Sequence, residues 1–173
     1  QKTQTQQMRD PRYDILFEPV KIGPVTARNR FYQVPHCNGM GYVRPNSLAK
    51  MREIKAEGGW SVVCTEEVWI HHSSEIVPHA EGILWDDGDI PALAKMTEAV
   101  HKHGSLAGIE LQHGGYCSSN NYSRIPPIAP SSIVSSSYNP VQARAMDKTD
   151  IANFRKWHKK AALRSKQAGF DLI

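Results

Sequence analysis

The run Phe31-Tyr-Gln-Val-Pro-His-Cys-Asn-Gly-Met40 places a thiol, Cys37, where a short apolar strand gives way to a glycine-containing loop. With Pro35 and His36 before it and Asn38, Gly39 and Gly41 after it, the cysteine stands at a strand's mouth, where a reactive group would be presented. The plain alternative is a buried Cys37 that fills core space as a small apolar side chain. In α/β folds the carboxyl ends of strands are where ligands bind, which favours the first reading. Two other polar sets hold comparable places. Glu66 and Glu67 come toward the end of a second apolar run, and Glu110, followed by Gln112 and His113, closes a third.

The elements that must position these groups alternate along the chain. Ile15 to Ile22 and Val25 to Phe31 read as two extended pieces joined at the Gly23-Pro24 turn, a hairpin ahead of the main fold. After the Phe31 to Pro35 strand, Ser47 to Glu57 is rich in helix formers and stops at Gly58-Gly59. Trp60 to Ile70 is β-branched and apolar, as a buried parallel strand should be. Asp89-Ile-Pro predicts an N-cap with proline in the first turn of a helix that runs to His103 and Gly104. Ser105 to Leu111 is the next strand, Gly114 to Met146 a long Ser-, Pro- and Asn-rich excursion, Thr149 to Ala168 a helix, and Gly169 to Ile173 the start of a further strand.

Four strands alternate with three helices, and no Gly-x-Gly-x-x-Gly turn appears. The expected fold is therefore α/β, the first half of a (β/α)8 TIM barrel preceded by a short β-hairpin. Residues 1–12 read as an N-terminal extension and residues 13–173 as the N-terminal part of the barrel. Half a barrel leaves sheet edges open, so a longer polypeptide or a second piece is expected to close it.

Composition narrows the classes. The 173 residues are 40% hydrophobic and 22% charged, ordinary for a globular domain. The net charge of +4 is mild and mixed in sign along the helices, which disfavours nucleic acid. No apolar stretch reaches the length of a membrane span, and a cytoplasmic protein is expected. Three cysteines at 37, 64 and 117, without a Cys-x-x-Cys pair, build neither a disulfide framework nor a zinc or iron–sulfur site.

Arg28-Asn-Arg-Phe-Tyr-Gln-Val-Pro-His-Cys-Asn-Gly-Met, Lys55-Ala-Glu-Gly-Gly-Trp60, Thr65-Glu66, Leu84-Trp-Asp-Asp87 and Leu106-Ala-Gly-Ile-Glu-Leu111 resemble the trimethylamine, dimethylamine and histamine dehydrogenases, amine-oxidising members of the Old Yellow Enzyme class. The likeness covers Arg9 to Ile173, and its Val-Pro-His-Cys element is narrower than the general flavin-barrel pattern. It implies an FMN barrel in which Cys37 is bonded to flavin C6, with main-chain groups of Pro35 and His36 against the ring and Glu66 and Glu110 at the flavin. It further implies a 4Fe–4S cluster, a nucleotide-binding region and catalytic residues beyond residue 173, an electron-transferring flavoprotein as electron acceptor, and a homodimer.

Flavin chemistry fits the residues read on their own. The ring's pyrimidine edge needs fixed polar partners at a barrel mouth, and Glu110 in an otherwise apolar strand is the best of them, unless it simply points to solvent. Strand alternation lets only one of Glu66 and Glu67 face the interior directly, and a solvated loop pair is the plain reading for both. By resemblance Glu67 stands where the trimethylamine enzyme has a tyrosine of its aromatic bowl. A carboxylate suits an amine with N–H donors or a second cationic centre better than a trialkylated one, so a histamine-like or other primary or secondary amine is expected. Gln112 and His113 are candidate substrate contacts, or merely shape their loop.

His71, His72 and His79 lack ligand spacing and read as loop residues, His101 and His103 as helix-end residues, and Cys64 as inert core. Two rivals remain open: an NAD(P)H-dependent ene-reductase of the same class, and a non-catalytic half-barrel.

Overall fold

The computed structural model describes residues 10–78, 80–135 and 140–173. His79 and residues 1–9, most of the expected extension, lie outside the described residues. At the centre is a parallel sheet built on one long strand. β1 (Val20–Ile22) and β2 (Val25–Ala27) form an antiparallel hairpin, and β3 (Tyr32–Gln33) opens the parallel sheet. Helix α1 (Pro45–Glu57) leads to β4 (Val62–Trp69), followed by the two-residue β5 (Gly82–Ile83). Helix α2 (Ile90–His101) then precedes β6 (Leu106–Gln112). This is the βα repeat of a partial barrel, as the alternation predicts.

β6 pairs with β4 along the length from Val62 to Trp69, so β3 and β5 must share the opposite edge. β3 occupies its beginning, with Tyr32 against Val62 and Gln33 against Val63, and β5 its end, with Gly82 against Val68. The outward side chains Val63, Val68, Ala107 and Ile109 bury against Leu93, Met96 and Val100 of α2 and Ala49 and Ala56 of α1. On the other face Val62 and Cys64 pack with Ala27, Val20 and Ile22, so the hairpin closes the floor of the barrel interior. Cys64 is buried there, its thiol 3.2 Å from the Tyr32 hydroxyl, as inert core should be.

Three local expectations are corrected. Ile15 to Phe17 is not strand but the end of a 3₁₀ turn (Pro11–Phe17), started by the Asp10 carboxylate accepting the Arg12 amide with Pro11 behind it. Asp89 does not cap α2 with its side chain. It turns back to accept the Trp85 and Asp86 amides at 2.7 and 3.1 Å, while Asp86 accepts the Gly88 amide. The excursion after β6 carries a small sheet of its own, in which β7 (Ile128–Ala129) and β8 (Ile133–Val134) flank β9 (Gln142–Ala145).

Helix α3 (Lys148–Gln167) starts at a reciprocal cap between Asp147 and Asp150. Behind it Gly169 turns through a positive φ of 92°, and the Ala168 carbonyl accepts the buried Thr97 hydroxyl at 2.6 Å. The chain then bridges to Gly108 through Leu172, the first contact of the next barrel strand. Thr97→Val keeps the shape but leaves the Ala168 carbonyl without that donor. A loss of about 1–3 kcal/mol is expected, read from the urea midpoint.

Candidate functional site

Along the shared edge of β4, the chain leaving β3 and the chain entering β5 approach one another. The His36 amide donates to the Thr65 carbonyl at 3.2 Å, so Cys37 comes alongside Glu66 and Glu67. Glu81 stands immediately before Gly82, which pairs with Val68. Sγ of Cys37 and carboxylate oxygens of Glu67 and Glu81 lie within 4.8 Å of one another, close enough to share a proton or a cation.

A β-bulge decides which glutamate faces the interior. Cys64 pairs with Gly108, yet Glu67 pairs with Glu110, so β4 holds one residue more than β6 between these points. Period-two alternation would put Glu66 in line with Cys64; the extra residue puts Glu67 there, opposite Glu110. The Glu110 amide takes Thr65 Oγ1 as its acceptor at 3.3 Å.

Glu66 is fully buried and works on the backbone. Its carboxylate accepts the Asn38 amide at 3.1 Å and the Gly41 amide. Arg52 of α1, also fully buried, donates to the His36 carbonyl at 2.6 Å and to Gln33 Oε1 at 3.1 Å. The residues on both sides of Cys37 are thereby held while its own side chain stays exposed. Gly41 must be glycine here, because a Cβ would collide with Glu66 and lie 2.5 Å from the Gly82 amide nitrogen. That backbone approach is what brings Glu81 to the cysteine loop.

The electrostatics oppose ionisation. Partial desolvation pushes the Cys37 thiol up to about 11, with Glu81 and Glu67 adding to it and a hydrogen bond from the Glu67 backbone working the other way. The thiol is therefore not ionised near neutrality, which corrects the simple picture of a ready nucleophile. Burial, then the charges of Glu66 and Glu67, push Glu81 up to about 8. Burial also raises Glu67, with Glu110 and Glu66 contributing, and Trp69 Nε1 donates to its Oε1 at 3.2 Å.

A flavin ring fits this donor set. Glu110 is exposed, with no side-chain hydrogen bond among the described residues, and Gln112 on the same strand face has a buried Oε1 without a partner there. Both can meet N–H groups of a planar ligand beside Cys37. Pro35, Tyr32, Cys64 and Glu110 line a groove of about 610 Å³ at the sheet edge.

The structure gives two of the expected site residues protein partners and brings three further residues beside them. Both Glu66 oxygens accept loop amides. His113 is not free for substrate: its Nε2 meets Ser73 Oγ at 3.0 Å, its Nδ1 accepts the Gly115 amide at 3.0 Å, and its ring packs on Phe154 and Trp157. Glu81, Arg52 and Gln33 gave no spacing signal. The strongest clue to Arg52 was a cation on the buried face of an otherwise Ala- and Leu-lined helix.

A parallel-sheet half-barrel with a thiol and carboxylates at its strand ends defines a barrel-type flavoenzyme site. The chain belongs to the NADH:flavin oxidoreductase / NADH oxidase family, which it matches over residues 15–173. It is 42% identical to the dimethylamine dehydrogenase of Hyphomicrobium sp. (strain x) over 95% of this chain and 23% of that protein. It superposes on the histamine dehydrogenase of Rhizobium sp. 4-9 with a TM-score of 0.91 at 56% identity, over 95% of this chain and 26% of that one. An NADPH dehydrogenase of Listeria monocytogenes serotype 4b is 33% identical over 91% of this chain and 46% of its own length. The chain thus spans about a quarter of the amine dehydrogenases and just under half of the NADPH dehydrogenase. No helix among the described residues is long and apolar enough to cross a membrane.

Two outcomes are expected. Arg52→Met removes the donor to His36 and Gln33 and leaves Glu66 without its nearby cation, costing about 3 kcal/mol in urea denaturation. His71 and His113 are both pushed down to about 4, mainly by burial in the stack with Trp157. Their folded values lie below the unfolded one, so their stabilisation is present above pH ~6.5 and is lost as pH falls toward 4. A His71→Asn/His113→Gln double variant should show a shallower fall of the urea midpoint across that window.

Proposed function

We propose that this chain forms the flavin-binding part of an amine dehydrogenase that oxidises a histamine-like or other primary or secondary amine to an aldehyde, releasing ammonia or a smaller amine. The observation that carries the reading is the acidic mouth: carboxylate oxygens of Glu67 and Glu81 lie with Cys37 Sγ within 4.8 Å of one another, and Glu110 stands opposite Glu67 on the neighbouring strand. A mouth of that charge attracts a cationic amine. The identity of 42–56% to amine dehydrogenases supports the same choice.

FMN held there would supply the two-electron acceptor for the amine's carbon–hydrogen bond. Glu110 would hold the N–H edge of the ring and Cys37 would be its covalent anchor, through a 6-S-cysteinyl linkage. The Pro35 carbonyl would meet it, while the His36 amide and carbonyl, taken by the Thr65 carbonyl and Arg52, hold the loop in place and leave His36 only packing contact with the ring. Glu67, its Oε1 fixed by the Trp69 indole, accepts the amine's N–H donors through the remaining oxygen and orients the substrate. Gln112 contributes a second acceptor. FMN together with a 4Fe–4S cluster would supply the route for electrons to an electron-transferring flavoprotein, in a homodimeric enzyme of the cytoplasm whose cluster, nucleotide region and remaining catalytic residues would belong to other parts of the protein.

The 33% identity to NADPH dehydrogenases favours a second reading, reduction of an activated alkene by NAD(P)H. Steady-state assays with an artificial electron acceptor separate the two. Turnover of histamine or another primary amine, with trimethylamine poor, supports the amine reading; oxidation of NADPH by an enone, with all amines inert, replaces it. In the first case Glu67→Gln is expected to raise KM for the amine about 10-fold, as loss of a charged hydrogen-bond acceptor predicts, with a smaller change in kcat.

A further inference from the structure

We propose that Glu81 is the proton acceptor that activates Cys37 for bonding to the flavin. The inference rests on the covalent-FMN reading above and adds a residue to it. Cys37 must lose its proton before its sulfur can attack, and its surroundings hold that proton on. The charged groups that face the thiol and Glu81 are Glu66 and Glu67 of β4 and, further off, Glu110 of β6 and Arg52 of α1. Three are excluded by their other engagements. Glu66 is spent on the Asn38 and Gly41 amides, Arg52 is a cation bonded to His36 and Gln33, and Glu67 is fixed by Trp69 and turned to the mouth. Glu110 pairs across the sheet with Glu67 and is the ring's own partner.

Glu81 differs from all of them. Glu81 is buried, 8% exposed, Oε2 has no hydrogen-bond donor among the described residues, and one of its carboxylate oxygens lies within the cluster around Sγ. The Glu81 carboxylate is within hydrogen-bonding reach of two groups, the Glu66 carboxylate and the Cys37 thiol, and of these only the thiol carries a proton that the bond to flavin requires it to lose. Its position at about 8 means that the basic form becomes the major one only above that pH, and that the proton is held well once taken.

The step balances as follows. The S–H bond breaks, the proton passes to the Glu81 carboxylate, and the electron pair stays on sulfur to form the bond to ring carbon C6. The hydrogen that sulfur replaces leaves as a proton, and the two remaining electrons pass to an external oxidant, dioxygen or another flavoprotein.

The test follows covalent incorporation of FMN into the flavin-free natural gene product by intact mass, from pH 6.5 to 10, for wild type, Glu81→Gln and Glu81→Asp. For wild type the rate should rise with a midpoint near pH 8. For Glu81→Gln it should fall at least 10-fold at pH 8, with the rise displaced toward the thiol's own range, and Glu81→Asp should recover part of the rate. A Gln variant that links as fast as wild type, or faster because a repelling charge is gone, overturns the proposal. Wild type that never links flavin overturns the covalent reading instead. Iodoacetamide labelling of Cys37 without flavin gives a readout if the Gln variant fails to bind FMN. Loss of the pH 8 inflection in that variant supports Glu81 as the base, and an unchanged profile overturns it.

Discussion

The buried carboxylate of Glu66 is the constraint on which the site depends. A charge sealed from water is costly unless its lone pairs are filled and a counter-charge is near. Here the Asn38 and Gly41 amides donate one hydrogen bond to each oxygen, and Arg52, equally buried, is the cation that faces it. Satisfying Glu66 therefore fixes the path of the chain on the far side of Cys37. Satisfying Arg52 fixes the near side through His36. The cysteine is located by its neighbours' backbone, and its own side chain is left for chemistry.

The same edge explains why two short strands suffice. β3 and β5 contribute two residues each, yet they share one side of β4 end to end, and the space where neither pairs is the site. The close approach of Gly41 to Gly82 lets the two segments meet without a side chain between them. The bulge in β4 then turns Glu67 toward that space and keeps Glu66 beneath it. One extra residue in one strand thus separates two adjacent glutamates, one accepting the amides of the cysteine loop and the other aligned with Glu110 across the sheet.

Much of this was legible in the residues, and the failures have physical causes. The βα alternation, the floor hairpin at Gly23-Pro24 and the strand-end position of Cys37 follow from local patterns that tertiary packing left intact. The bulge carries no local mark, since Thr65-Glu66-Glu67 contains no glycine or proline to announce it. Glu81 lies just before a two-residue strand, too short for periodicity to reveal. His113 looked available because the aromatic rings that enclose it, Phe154 and Trp157, come more than forty residues later on α3. Asp89 looked like a cap because the Asp-Ile-Pro signature is right for one, but Asp86 three residues earlier draws its carboxylate back.

The acidic mouth sets two requirements against each other. Carboxylates gathered on one thiol raise the cost of forming a thiolate, and the same carboxylates favour a cation in the space they enclose. A site built only to generate a free thiolate would place a lysine, an arginine or a helix N-terminus beside the sulfur. This one places acids there, and the buried arginine faces Glu66 and the backbone instead. The arrangement makes sense if the sulfur needs to lose its proton once, during assembly with the cofactor, and the carboxylates must attract a cationic substrate in every later turnover.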